Sequence, residues 1–267
     1  MATNALQSAS SALSAMNTAL DVTANNLANV NTAGFKSSRV NFQDLLYIEN
    51  ARAGTQNAQR DSRPIGQYVG LGVRVSGTQL DFTQGSALTT GRPLDLMIQG
   101  EGFLQVQVED TLGSIAYTRA GNLALNKDGE LCLANDQGRR IIPPISLPPE
   151  ATKITITGDG RIQYTTPTDS AVQEVGPLEL ATFTNPAGLK QIGENLYQAT
   201  DGSGPANTGQ PGQDTRGTLL QNFLEASNVN PTNELITLIQ TQRAFEMNSQ
   251  SIRAADETMR TVAQLSR

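Results

Sequence analysis

The chain has 267 residues, a net charge of −6 and a hydrophobic share of 37%, enough for one or two compact domains, or three if one is split in sequence. The acidic balance excludes a general phosphate footprint for nucleic acid. Histidine is absent and Cys132 is the single cysteine, which excludes Ser-His-Asp and Cys-His triads, His-ligated zinc, CxxC metal sites and an internal disulfide.

The N-terminus, Met1-Ala2-Thr3-Asn4-Ala5, lacks the basic and apolar regions of a secretory signal peptide, and no run approaches the roughly 18 apolar residues of a membrane helix. The first element is a helix. Leu6, Ala9, Leu13, Met16, Leu20, Ala24 and Leu27 recur at spacings of three and four, with Ser, Asn, Thr and Gln between them and Asp21 as the only charge before Lys36. This pattern predicts a helix of roughly 40 Å from about Thr3 to Val30, stopped by Asn29, Asn31 and Gly34.

The next stretch, Tyr47 to Gly66, is polar and spreads Arg52, Arg60, Asp61 and Arg63 among Gln and Asn, as a linker does. The middle of the chain reads as β. Leu94–Ile98 and Phe103–Val108 flank Gln99-Gly100-Glu101-Gly102 as strand, turn and strand. Leu123–Leu125 with Leu131–Leu133, and Ile154–Thr157 with Arg161–Tyr164, predict two further hairpins around Asp-Gly and Gly-Asp turns. Phe103, Tyr117, Phe183 and Tyr197 fall within strand-like patterns and read as core. Cys132 occupies a strand position.

The closing segment is a second helix, with Asn230 as N-cap and Pro231 at its first position. Its stripe is Leu235, Leu238, Phe245, Ile252, Met259 and Val262, four of them in heptad steps, alternating with polar Gln242, Ser249 and Asp256. A single apolar stripe at each end of a chain needs a partner, and the economical one is the other stripe. The expected fold is therefore α+β, with N- and C-terminal helices paired antiparallel as a coiled coil, an inserted β-rich domain and an extended connecting loop. The expected boundaries are 1–32 with 228–267 for the helices, 33–70 for the connector and 71–227 for the β-rich part.

Chemistry is sparse. The pairs Gly70-Leu71-Gly72, Gly100-Glu101-Gly102 and Gly158-Asp159-Gly160 lack the rest of a nucleotide-binding pattern. Glu109-Asp110 would point to opposite faces of an extended segment. Asp128-Gly129-Glu130 and Asp201-Gly202-Ser203 are too short for a calcium loop. No catalytic, cofactor or metal residue is predicted.

The run Ala24-Asn25-Asn26-Leu27-Ala28-Asn29-Val30-Asn31-Thr32-Ala33-Gly34-Phe35-Lys36 closely resembles the N-terminal signature of the bacterial flagellar rod and hook family. Ser227-Asn228-Val229-Asn230, Glu234-Leu235-Ile236 and Gln242-Arg243-Ala244-Phe245-Glu246 resemble its C-terminal pattern, and Gly102-Phe103 and Tyr117-Thr118-Arg119-Ala120-Gly121 its central motifs. Phe42–Tyr47, the polar stretch after it and Gly70–Arg74 look like those of distal-rod members.

The resemblance implies a structural subunit of the distal rod. Such a subunit polymerises into a rigid helical tube that transmits torque from motor to hook and forms part of the export channel. The implied partners are further copies of the chain, proximal-rod and hook proteins, the periplasmic and outer-membrane bushing rings, and the type III export apparatus. Neither nucleic acid nor a small-molecule substrate is implied. The implied location is the basal-body rod in the periplasm, reached without a cleaved signal.

By the same resemblance, Asn25, Asn26, Leu27, Asn29, Gly34, Phe35, Asn228, Asn230, Gln242 and Arg243 are family-motif residues. The polymerisation seams would be Leu6, Leu13, Met16, Leu20 and Leu27 with Leu235, Leu238, Phe245, Ile252 and Met259. Tyr47, Arg52, Arg60, Arg63 and Pro64 would mark a rod-stiffening segment. A proximal-rod or hook-like axial protein, or a cell-wall-binding module, are the alternative readings.

Overall fold

The computed structural model describes residues 2–54, 64–108, 115–148, 150–151, 153–167 and 171–265, so Arg60, Asp61, Arg63 and the Glu109-Asp110 pair lie outside the described residues. Two compact units result: unit 1 comprises Met1–Ala28, Ser38–Gln79 and Asn230–Arg267, and unit 2 comprises Asn29–Ser37 and Leu80–Val229. The first two divisions fall several residues from the expected 32 and 70, because residues 29–37 join the β-rich unit and residues 71–79 join the helices, and the last falls at Asn230 beside the expected 228.

Unit 1 holds helix α1, Ala2–Ala28, and helix α2, Pro231–Leu265, in mutual contact. α2 begins as its sequence dictates. The Asn230 side-chain oxygen accepts from the N–H groups of Thr232 and Asn233 at 3.1 and 3.3 Å, and Pro231 occupies a position that needs no donor. Strand Ser38–Asp44 pairs with strand Val73–Leu80, and Tyr47–Ala51 pairs antiparallel with Gln67–Gly70. The stretch read as a linker therefore begins as strand, and the strand that pairs with it starts just past its end, at Gln67.

The most deeply buried positions of α1 are not the expected leucines. In α1 the buried positions are Ala15, Ala19, Thr23 and Asn26, whereas Leu6, Leu13, Met16, Leu20 and Leu27 are half-buried and Ala24 is exposed. Small side chains let two backbones approach closely. Leu20 and Leu27 follow Ala19 and Asn26 by one residue, which places them about 100° around the helix from the buried face.

In α2, Leu238, Phe245, Ile252 and Met259 are half-buried, while Leu235 is 46% exposed. Glu234, Thr241, Asn248 and Ala255 are sheltered beside that heptad, and of the expected polar companions Ser249 is half-buried while Gln242 and Asp256 face outward. Thr241 can be buried because its hydroxyl donates to its own helix, at Thr237 O, 2.7 Å away. The Val262 side chain lies outside the described positions.

Unit 2 is built on a seven-stranded sheet in the order Lys190–Gly193, Leu196–Gln198, Ile115–Thr118, Phe103–Gln107, Leu180–Thr182, Asn207–Gly209, with Ile141–Ile142 also against Phe103–Gln107. Alternation along Phe103–Gln107 sends Leu104 and Val106 into an aliphatic core with Leu96, Ile98, Leu123, Ile162 and Leu180. Phe103 goes to the opposite face and an aromatic cluster with Phe82, Tyr117, Phe183 and Tyr197. The rings meet edge to face, Tyr117 and Phe183 with centroids 4.8 Å apart. The four aromatics read as core are buried.

Two expected hairpins are present, Leu125 opposite Leu131 and Ile156 opposite Ile162. The strand–turn–strand at Gln99–Gly102 does not close on itself. Leu96–Gln99 pairs with Thr218–Gln221, and Phe103–Gln107 pairs with Ile115–Thr118. The Gly217 N–H donates to Glu101 O at 2.7 Å, so a distant segment occupies the place of the local partner. Cys132 is buried, with its thiol 3.3 Å from Ala124 O, and burial pushes its ionisation up, the opposite of a reactive thiol.

Burial raises the Tyr197 and Tyr117 phenols above their ordinary ionisation range. Their folded-state pKa lies above the unfolded one, so the stability they confer is complete below pH ~10 and is lost as the pH climbs beyond it. Thermal melts followed by near-ultraviolet circular dichroism should show unit 2 losing stability above that pH. Tyr197→Phe should reduce the slope, with Tyr117 supplying what remains.

Candidate functional site

The motif residues converge on two side-chain nodes, one in each unit. In unit 1 the node is Asn26, buried in the last turns of α1. Its carboxamide reads both backbone groups of Ser38, the first residue of the adjoining strand. Oδ1 accepts from Ser38 N at 3.0 Å, and Nδ2 donates to Ser38 O at 2.8 Å. Nδ2 also donates to Glu234 Oε1 at 3.3 Å, which draws the first turn of α2 to the same point. Burial holds the Glu234 carboxyl above its usual range, against the opposing pull of the Asn26 hydrogen bond. Beside the node runs a groove of about 460 Å³ lined mainly by α1, α2 and strand Ser38–Asp44, with Met16, Val22, Val40 and Phe42 supplying apolar wall.

In unit 2 the node is a buried ionic cluster. The Lys36 ammonium donates to Glu225 Oε1 at 2.6 Å and to Thr83 O at 2.7 Å, and its side chain and that of Glu225 are both 0% exposed. Arg119 Nε stands 3.1 Å from Glu225 Oε2, an ion pair without hydrogen-bond alignment. Its Nη2 donates to Gly100 O, and its guanidinium lies 5.8 Å from the Phe103 ring centroid. Burial and the neighbouring Arg119 charge lower the Lys36 pKa, and Glu225 opposes them. Asn228 closes the same region, with Oδ1 accepting from Ser37 N at 2.7 Å and Nδ2 donating to Asp81 O at 2.8 Å.

Gly34 completes this node for two separate reasons. Its φ of +73° lies in the left-handed region, and a Cβ there would stand 2.7 Å from the backbone nitrogen of Ala120. The Gly-Phe-Lys and Tyr-Thr-Arg-Ala-Gly motifs are thus one contact, with Phe35 buried beside it.

The other predicted residues scatter. Asn25, Gln242 and Arg243 are exposed, and Asn29 is half-buried. Tyr47, Arg52 and Pro64 are exposed, and Arg60 and Arg63 lie outside the described residues. Around the first two of these, the paired strands Tyr47–Ala51 and Gln67–Gly70 and their flanks expose Leu46 at 82%, Ile65 at 81% and Tyr68 at 55%. Sequence reasoning missed Ser38, Arg119, Glu225 and Glu234 as site residues. Arg119 and Glu234 stood within quoted motifs, and for Glu225 the signal was a lone charge inside an apolar strand pattern, Phe223-Leu224-Glu225-Ala226.

The chain was compared with known families and proteins. Residues 6–36 match the model described as "Flagella basal body rod protein", residues 97–164 "Flagellar hook protein FlgE/F/G D1 domain", and residues 220–265 "Flagellar basal body rod FlgEFG protein C-terminal". The chain is 41% identical to the flagellar basal-body rod protein FlgG of Caulobacter vibrioides over 98% of both lengths. It is 40% identical to FlgG of Borreliella burgdorferi over 96% of both. Identity to the rod protein FlgF of Caulobacter vibrioides is 33%, over 85% of this chain and 83% of that one.

Asn26→Ala leaves the Ser38 N–H and C=O without their partner, an expected loss of about 1–3 kcal/mol. Asn26→Asp should cost at least as much, because it removes the donor and sets a second carboxylate against Glu234. Urea unfolding followed at the helical circular-dichroism band measures both. A midpoint unchanged in the two variants would remove Asn26 from the node.

Proposed function

Since the chain belongs to the flagellar basal-body rod and hook family, we infer that it is a structural subunit of the flagellar distal rod, assembling into a tube rather than transforming a substrate. The observation that carries this reading is end-to-end similarity to a basal-body rod protein, 41% over 98% of both chains. The match to the rod protein FlgF is weaker, 33% over 85% of this chain.

The physical requirement for such a subunit is a pair of different, complementary surfaces, since head-to-tail contacts that do not close generate an open helix. Unit 1 supplies apolar surface that its own fold leaves uncovered. Leu6, Leu13, Met16, Leu20 and Leu27 are half-buried on α1, and Leu235, Ile236 and Ile239 are exposed on α2. The heptad Leu238, Phe245, Ile252 and Met259, with Thr241, Asn248 and Ala255 between, supports a coiled-coil pairing of α1 and α2. The polar members of that seam favour one register over apolar slippage. Covering the leucines by neighbouring copies adds about 1.5–3 kcal/mol for each side chain fully buried.

The segment around Tyr47, Arg52, Arg60, Arg63 and Pro64 is proposed to wedge between subunits and stiffen the tube. Two strands alone are marginal in water, and the exposed Leu46, Tyr47, Ile65 and Tyr68 suit a neighbour's surface. A stiff tube transmits torque from motor to hook and encloses the export channel. The proposed partners are further copies, proximal-rod and hook proteins, the bushing rings, and the type III apparatus that delivers the chain without a cleaved signal.

Leu13→Asp and Leu20→Ser should leave the monomer's melting within about 1 kcal/mol of the parent and abolish tubes in electron micrographs of concentrated protein. Circular dichroism of dilute monomer should give less helix than α1 and α2 together, rising on polymerisation. Full helix content in monomer, unchanged by assembly, counts against seams completed by neighbours. Deleting Arg52 to Pro64 should give curved or over-flexible rods, and straight rods of normal length would reject the wedge.

A further inference from the structure

Unit 2 is discontinuous in sequence, and its two pieces are joined at the buried cluster of Lys36, Arg119 and Glu225. Residue 36 lies in the short piece that follows α1 in sequence, and residue 225 lies in the strand that precedes α2, 189 positions later. The surrounding backbone is fastened by few bonds. Gly34 N donates to Glu225 O, Asp81 N to Ser37 O, and Ala226 N to Ser86 O, at 2.8–2.9 Å. Gly85 N donates to Glu225 Oε1 at 2.9 Å. Among the described residues, strand Phe223–Glu225 pairs only with Ala87–Thr89, a two-stranded sheet apart from the seven-stranded one.

The strand pair at this place buries little apolar surface, although Phe35 and Phe103 lie buried beside the charges. Residues 87–89 are exposed, and Phe223 and Leu224 are half-buried. What is fully enclosed is charge, two cations on one carboxylate. A partly opened cluster would leave Lys36 or Arg119 without its counter-ion in a water-poor site, so intermediate openings are disfavoured and the contact has two positions, shut or fully hydrated.

We propose that Lys36, Arg119 and Glu225 form an all-or-none latch, which joins the entry and exit segments of unit 2 and opens locally, ahead of the sheet. The latch makes closure of the unit conditional on segments that a growing or threaded chain presents last and first. Glu225 is the pivot, since each cation touches it and it alone carries negative charge within the trio. Lys36 and Arg119 are its two holds, Lys36 also fixing Thr83 and Arg119 also fixing Gly100.

Amide hydrogen exchange on the full chain tests this. In Glu225→Gln, exchange at Gly34, Asp81, Gly85 and Ala226 should quicken by about tenfold or more, while Leu104, Val106 and Leu180 in the sheet stay within about threefold of the parent. Lys36→Met keeps the Arg119–Glu225 pair and should give a smaller rise at the same four amides. Combining Lys36→Met with Glu225→Gln should restore part of the protection lost in Glu225→Gln alone, because one stranded cation is gone. A loss of packing would not be repaired in that way.

A rise spread evenly over latch and sheet overturns the proposal. So does unchanged exchange at the four amides, or a double variant that merely sums the singles. Should Glu225→Gln fail to fold, Lys36→Met decides alone: a rise confined to the four amides supports the latch, and a uniform rise or none rejects it.

Discussion

The carboxylate of Glu225 sits where water does not reach, and much of unit 2 is arranged to satisfy it. Lys36 and Arg119 neutralise it, Gly85 donates a backbone N–H to it, and the Thr83 and Gly100 carbonyls accept one further hydrogen bond each from the two cations. A buried ionic group is poor value as a source of net stability, because desolvation consumes much of the attraction. Its effect is discrimination. Hydrophobic side chains can be covered in many arrangements, whereas one carboxylate with fixed donors accepts very few. Gly34 shows how tight the fit is, since its contact with Ala120 leaves no room for a methyl group.

Unit 1 works by the opposite economy. Helix α1 buries Ala15, Ala19, Thr23 and Asn26, which are small or polar, and leaves its leucines half-buried. A monomer built to stand alone would turn its leucines inward. A subunit that must adhere to copies of itself benefits from holding them back, with just enough internal contact to set the direction of the helices. Asn26 provides that direction, because one amide group fixes the start of strand Ser38–Asp44 and the first turn of α2 together. Specific hydrogen bonds orient the unit, and the uncovered apolar area is what the proposed association would bury.

Local and distant forces divided the β-rich unit in a regular way. Where the turn residues could fold the chain back directly, as at Asn126–Gly129 and Gly158–Gly160, the hairpin formed in the expected register. At Gln99–Gly102 an equally plausible turn lost to the segment Thr218–Gln221, which pairs with Leu96–Gln99 and buries Leu219 against Leu96 and Ile98. Strand pairing is settled by what covers both faces of a strand, and that information lies more than a hundred residues away.

The sequence by itself determined the α+β class, both helices and the N-cap of the second, two of three hairpins, the aromatic core and the family, since these rest on short-range periodicity, turn chemistry and contiguous motifs. The tertiary structure alone decided which helix face is inside, because stripes one residue apart, such as Ala19 and Leu20, have similar periodicity and differ only in how near a partner can come. It also decided that Lys36, Arg119 and Glu225 are one group. Nothing in a linear pattern joins three lone charges so far apart; only a cavity that excludes water obliges them to meet.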